Sequence, residues 1–202
     1  MKKYELTNET KTLAGGTVLH RIRALRDIPR FGVKAGELGG FVEEENNLSQ
    51  DGKAWVFGNA EVFGDAKVSG KAWVYGNAKV YGNVNVFGDA EVFGYAWVSG
   101  YANVSGDAEV SGYANVSGDS EVSGYADYMV IKNIWSSGRW FTYTRSNKKW
   151  AVGCFYGTGE ELVAKAYKDS KLSGKCYEAI VHAVETIEAA KAEAKGESNG
   201  ST

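Results

Sequence analysis

The apolar positions of this chain follow one strict rule through its middle. From Val56, valine recurs every six residues through Val62, Val68, Val74, Val80, Val86, Val92, Val98, Val104, Val110, Val116 and Val122. Glycine follows two places after each valine, from Gly58 to Gly124, and alanine four places after, except at Val84 and Ser120. The unit is V-x-G-x-A-x. In an extended A-x-V-x segment, Ala and Val are two apart and point to the same side, while the residues between and after them point outward. Gly and its successor then fall at a corner, where glycine accepts backbone angles that strain other residues. Each hexad therefore predicts a short strand plus a turn, stacked about 4.8 Å from its equivalent in the next coil. A helix is excluded. A period of six turns successive valines by about 240° around a helix axis of 3.6 residues per turn, and Val with Gly disfavours that state.

The flanks follow other patterns. Residues 3–28 predict a hairpin with its turn near Ala14-Gly15-Gly16. The expected role is to cap the first coil, because a solenoid end exposes unpaired backbone and apolar interior. Three strand-like runs, YMVIKNIW, RWFTYTR and KWAVGCFYG, lie in residues 128–157, with turns at Ser136-Ser137-Gly138 and Ser146-Asn147-Lys148. Thr158-Gly159-Glu160-Glu161 fits a helix capping box. A second helix is expected after Ser173, with Tyr177, Ile180, Val181, Val184 and Ile187 on its apolar face. The divisions are a β cap at 1–49, the repeat at 50–127, an α+β domain at 128–190 and a frayed tail at 191–202.

The hexads VFGNAE, VFGDAK and VSGKAW resemble the hexapeptide repeat of left-handed parallel β-helices. That resemblance implies three hexads per triangular coil, a little over four coils, and a left-handed crossover against the usual right-handed preference. The segments GTVLHRIRALRDI (16–28) and GELGGFVEEENNLSQDGKAWV (36–56) are similar to the leading part of phage and prophage hexapeptide-repeat proteins. Members of that family are often loosely labelled polymer-forming or acyltransferase-like. The fold class so implied is mainly β, a left-handed parallel β-helix with an N-terminal β cap and a small C-terminal α+β domain.

Charge adds a further constraint. Residues 1–35 hold eight Lys/Arg against three Asp/Glu, whereas the repeat holds four Lys against ten Asp/Glu. The basic segment is expected to dock on the acidic coils, since opposite charges in one chain meet at high effective concentration. Arg21, Arg23, Arg26, Arg30 and Lys34 also suit phosphate contacts, but the acidic coils disfavour nucleic acid. With a net charge of -2 and 44% apolar residues, the chain is not a disordered type. No apolar run approaches a membrane span and no signal peptide is visible, so the bacterial host cytosol is the expected location. In that reducing setting Cys154 and Cys176 are expected as two buried thiols.

Candidate chemistry is sparse. Hexapeptide acyltransferases typically carry a histidine near the coils and loops that build a cofactor site, and this chain departs from that pattern. His20 and His182 lie outside the coils, and no loop interrupts the hexads. His20 shares a strand side with Val18 and Ile22, which favours a structural role, and His182 lies off its helix stripe. The cysteines and histidines do not match a zinc spacing, and no cofactor is expected. The informative surface is aromatic. Stacking at three hexads aligns Trp55 with Trp73, and Phe57 with Tyr75 and Phe93, while a second face carries Phe63, Tyr81 and Trp97. These residues are the candidate binding site, weighed equally against packing under the terminal segments. Corner tyrosines Tyr95, Tyr101, Tyr113 and Tyr125 are a weaker second candidate.

The expected function is a non-catalytic phage- or prophage-type binding protein that occupies a host protein or small ligand, with counter-defence as its context. Alternatives are sequestration of a nucleotide signal between subunits, a virion or fibre component, and an acyltransferase. A dimer or trimer is an open expectation.

Overall fold

The computed structural model describes residues 2–135 and 137–199. The protein is mainly β. A hairpin of β1 (Tyr4–Thr12) and β2 (Val18–Ala24) leads to β3 (Leu38–Val42). Twelve strands of two or three residues follow, β4 to β15, from Trp55–Val56 to Glu121–Val122. An antiparallel sheet of β16 (Tyr128–Lys132), β17 (Trp140–Thr144), β18 (Lys149–Val152) and β19 (Phe155–Gly157) precedes α1 (Gly159–Asp169) and α2 (Lys171–Asn199).

The short strands form a parallel β-solenoid of about five turns. Val56 pairs with Val74, Val74 with Val92 and Val92 with Val110, a register of three hexads. This gives three faces. Face I carries Val56, Val74, Val92 and Val110. Face II carries Val62, Val80, Val98 and Val116, and face III carries Val68, Val86, Val104 and Val122. Every one of these valines is fully buried, as are the alanines from Ala54 to Ala108. Each buried Val contributes about 1.5–3 kcal/mol against water, much of it offset by the entropy of ordering the chain. The hexad glycines from Gly58 to Gly118 all have φ between 60° and 81°, the left-handed region that the corner requires.

The solenoid begins before residue 50, earlier than the repeat predicts. Val42 pairs with Val62 and Leu48 bridges Val68, so β3 and Leu48 form a first coil with two extra residues. Asn47 fixes its corner. Its Oδ1 accepts from Glu43 N and Glu44 N, and its Nδ2 donates to Gly64 O at 2.8 Å and Ala66 O at 2.9 Å.

Both ends are closed by side chains that meet orphan backbone groups. At the first coil, Lys3 Nζ donates to Ala54 O at 2.8 Å, and Tyr4 OH lies 2.8 Å from both Leu48 O and Glu45 O. At the last coil, Asn115 N donates to Thr142 Oγ1 and Glu121 N to Ser146 Oγ, both at 2.8 Å. Tyr128 OH accepts from Ser111 N and donates to Glu109 O, and the Asp127 carboxylate accepts from Ser123 N and Gly124 N. Ser120, which breaks the alanine rule, is fully buried and bonded to Ser117 O, Thr144 and Asn147.

The C-terminal domain has its own core of Phe141, Trp150, Leu162, Tyr177, Ile180, Val181 and Val184. The Thr158 capping box forms as expected, with Thr158 Oγ1 accepting from Glu161 N and Glu161 Oε2 from Thr158 N. Four expectations change. The KWAVGCFYG run is two strands, because Gly153 at φ 59° turns the chain. Ile187 is 41% exposed, since it lies beside and not on the stripe of Tyr177, Val181 and Val184 that packs into the domain core. Cys154 is exposed and Cys176 half-buried, so neither is a core thiol. Residues 191–199 are helical as the end of α2, while residues 200–202 and Ser136 lie outside the described residues.

The corners supply a stability test. A Cβ on Gly100 would stand 2.7 Å from Gly118 N and 2.9 Å from its carbonyl oxygen, whereas one on Gly112 would meet nothing within 4 Å. Gly112→Ala should lose about 1–2 kcal/mol for its left-handed backbone alone. Gly100→Ala should lose a further ~1–3 kcal/mol through the clash with the next coil. Urea unfolding of both variants measures the difference, and equal losses would show that backbone angle alone selects these glycines.

Candidate binding surface

Hexad alternation sends one residue on each side of every valine outward, so each face carries two columns along the solenoid axis. On face I one column is Trp55, Trp73, Glu91 and Glu109, paired coil to coil. The other is Phe57, Tyr75, Phe93 and Ser111. Tyr75 and Phe93 stack with ring centroids 4.7 Å apart and planes 4° from parallel, and Trp73 lies 4.3 Å from Tyr75. Phe57 is 42% exposed, and among the described residues no ring pair joins it to Tyr75.

The N-terminal segment covers the start of this face, which corrects part of the predicted site. Trp55 is fully buried and meets the edge of Tyr4 at 6.3 Å, so it belongs to the core. Trp73 is half-buried, with Phe31 stacked on it at 4.5 Å. Arg30 forms an ion pair with Asp89, which Lys71 also approaches. The expected docking of the basic segment on the acidic coils is thus seen at Arg30–Asp89 and again at Lys11–Glu61. Arg21 and Arg23 instead pair with Glu9 and Glu5 of their own hairpin.

Face II carries Phe63 stacked on Tyr81 at 5.0 Å, both half-buried. Trp97 is 46% exposed, with Lys79 Nζ 5.8 Å from its ring centroid. Glu61 of the same face has a side chain only 2% exposed. Burial pushes its carboxyl up, but hydrogen bonds from Lys11 and Lys79 outweigh that and hold it below the usual carboxylate range. Two corner tyrosines also stack, Tyr95 on Tyr113 at 5.3 Å and Tyr113 on Trp140 at 4.9 Å. Tyr113 therefore has both ring faces occupied, and this stack ties the solenoid to the C-terminal sheet. Tyr101 and Tyr125 stand exposed.

A second apolar surface escaped the sequence reading. Ile131, Trp135, Cys176, Ala179, Ile180 and Ala183 line an open groove of about 430 Å³ on α2. Exposed Ile187 and Ala190 continue it along the helix. The signal was present in the spacing of Cys176, Ile180, Ala183, Ile187, Ala190 and Ala194, which alternates four and three, the spacing that coiled-coil seams use. It was hidden by the overlapping stripe of Tyr177, Val181 and Val184, which faces the domain's own core.

The two histidines sit on different elements. His20, half-buried on β2, has Nδ1 3.3 Å from Thr7 O. Its strand neighbours depart from the expected pattern, because Val18 is 42% exposed while Leu19 and Ile22 are buried. Register shifts in both strand pairings of β2 rotate that side. His182 is exposed on α2. Among the described residues no group of three or more His, Cys, Asp or Glu is placed to hold a metal ion, and no helix is long and apolar enough to cross a membrane.

Lys3 makes the cap pH-sensitive. Burial, aided by nearby Arg26 and opposed by Asp51, pulls its ammonium down to about 8. Unfolded Lys titrates near ~10.4. Between these values the unfolded chain binds more protons than the folded one, so this group makes stability rise with pH from about 8 to about 10.4. Lys3→Met should abolish that increment, read from urea midpoints at pH 7 and 9.5. The same increment in both proteins would rule Lys3 out as its source.

Neither a scan against models of known protein families nor a search of curated proteins finds a match to this chain.

Proposed function

We propose that this protein is a non-catalytic binding protein that occupies a macromolecule or ligand through face I of its solenoid. One observation carries the reading. With both terminal segments docked, Phe57 and the Tyr75–Phe93 stack still meet solvent on a rigid, coil-paired surface. A contiguous aromatic surface on a closed scaffold is what partner recognition uses. The resemblance of residues 16–28 and 36–56 to phage and prophage hexapeptide-repeat proteins supports a host target and a counter-defence context. Both chain ends of the solenoid are capped, which favours a discrete particle over a fibre.

Trp55, being core, is no part of the test. Phe57→Ser, Tyr75→Ser and Phe93→Ser combined should cut recovery of the partner from host lysate by about tenfold or more, as loss of aromatic anchors does. The thermal midpoint should stay within a few degrees. Undiminished recovery by the folded variant would remove face I as the site.

The α2 stripe supports a second component, a homodimer through paired helices. Ile187→Glu should then convert a dimer seen by native mass spectrometry into a monomer. A wild-type monomer would dismiss that component.

A further inference from the structure

The N-terminal segment displays, inside the molecule, the chemistry that face I accepts. The Arg30 guanidinium lies over the Phe31 ring at 5.4 Å, Phe31 stacks on Trp73 at 4.5 Å, and Arg30 pairs with Asp89. A cation and an aromatic ring, adjacent in sequence, thus occupy an acid at the corner and a ring on the face.

One coil further on, the corner acid recurs and the ring column gives way to further acids. Asp107 stands three hexads after Asp89 at the same corner. Glu91 and then Glu109 take the place of Trp73 along its column. The Tyr75–Phe93 stack forms the ring platform beside them, with Tyr75 OH donating to Glu91 Oε2 at 3.2 Å. Asp107 and Glu109 are exposed and Glu91 half-buried. Among the described residues none of the three carboxylates is in an ion pair, whereas Asp89 and Glu61 each have two cationic partners. Glu91 and Glu109 are direct neighbours in a parallel ladder, where like charges repel across about 4.8 Å. The three carboxylates do not form a metal-binding group. What complements them is an organic cation carried beside a flat apolar group.

We infer that face I, from Tyr75 to Glu109, takes an extended partner segment in which a basic residue adjoins an aromatic one. Its cation sits among Glu91, Asp107 and Glu109, and its ring lies against the Tyr75–Phe93 column. The segment continues the track on which Arg30 and Phe31 already lie. This inference rests on the binding role of face I and specifies the partner's chemistry.

The probe is the acetylated and amidated peptide Ile-Pro-Arg-Phe-Gly-Val-Lys, the sequence of residues 28–34, titrated into the full chain and followed by NMR. Shifts should map to Tyr75, Glu91, Phe93 and Glu109 and weaken with salt. Glu91→Gln, Asp107→Asn and Glu109→Gln combined should weaken binding about tenfold or more, as expected when charges facing a cation are neutralised. Peptides with Arg30→Glu or Phe31→Ala should bind less than the parent. Glu91→Lys with Glu109→Lys should reverse the preference toward Ile-Pro-Glu-Phe-Gly-Val-Glu.

Equal binding by wild type and the neutralised variant, or no binding by wild type, overturns the inference. So does self-association that the lysine variant breaks, since the occupant would then be a second copy. If the inference falls while the Phe57, Tyr75 and Phe93 variant still loses its partner, the binding role stands with a partner of different chemistry. If that variant also binds normally, both fall.

Discussion

Coil-to-coil approach at the glycine corners is the constraint on which the molecule depends. Successive corners lie so close that a Cβ on Gly88 would stand 2.9 Å from Gly106 N. At that distance the strands on either side of the corner reach pairing range, and backbone N–H groups along the stack donate to carbonyls in the next coil, as Trp73 N does to Ala90 O. The valines stack because the backbone does. With Val and Ala at nearly every inward position of the repeat, the interior is narrow, and its stability grows with each added coil rather than from any single large side chain.

Such a stack is indefinite by construction, so its ends need separate chemistry. The first coil ends in carbonyls that Lys3 and Tyr4 reach by side-chain donors, and the last ends in amides and a carbonyl that hydroxyls and Asp127 satisfy. The cost of the first solution is a buried ammonium. The second recruits Ser120, whose hydroxyl replaces an alanine methyl where the C-terminal sheet lies against the stack. Ser120 and the Asn47 corner, both departures from the repeat, thus lie at its boundaries.

The faces differ because the outward residues carry no structural duty of their own. On face I one column passes from Trp55 and Trp73 to Glu91 and Glu109, and the other from three aromatic residues to Ser111, and the terminal segments select what remains visible. Tyr4 and Lys3 remove Trp55 from the surface, and Phe31 removes part of Trp73. Tyr75, Phe93, Glu91 and Glu109 lie beyond their reach. The exposed part of face I is thus a remainder, set by how far a cap of limited length extends along a uniform scaffold.

By itself the sequence determined the repeating architecture, since a period of six with glycine at a constant offset admits only a stacked strand-and-corner fold. It also determined the N-terminal hairpin and the Thr158 capping box, each a local matter of a few residues. It did not reveal the first coil, because Val42 and Leu48 sit outside the strict register and their corner is held by Asn47 rather than glycine. Nor did it separate the two sides of α2, one facing the domain core and the other solvent, because both are apolar. Only the tertiary structure decided which aromatic residues are surface. Trp55 and Phe57 flank the same valine and point the same way, and what distinguishes them is a chain segment about fifty residues distant in sequence. Periodicity reports which side of a strand a residue occupies, but burial depends on what arrives above it, and that is a non-local property.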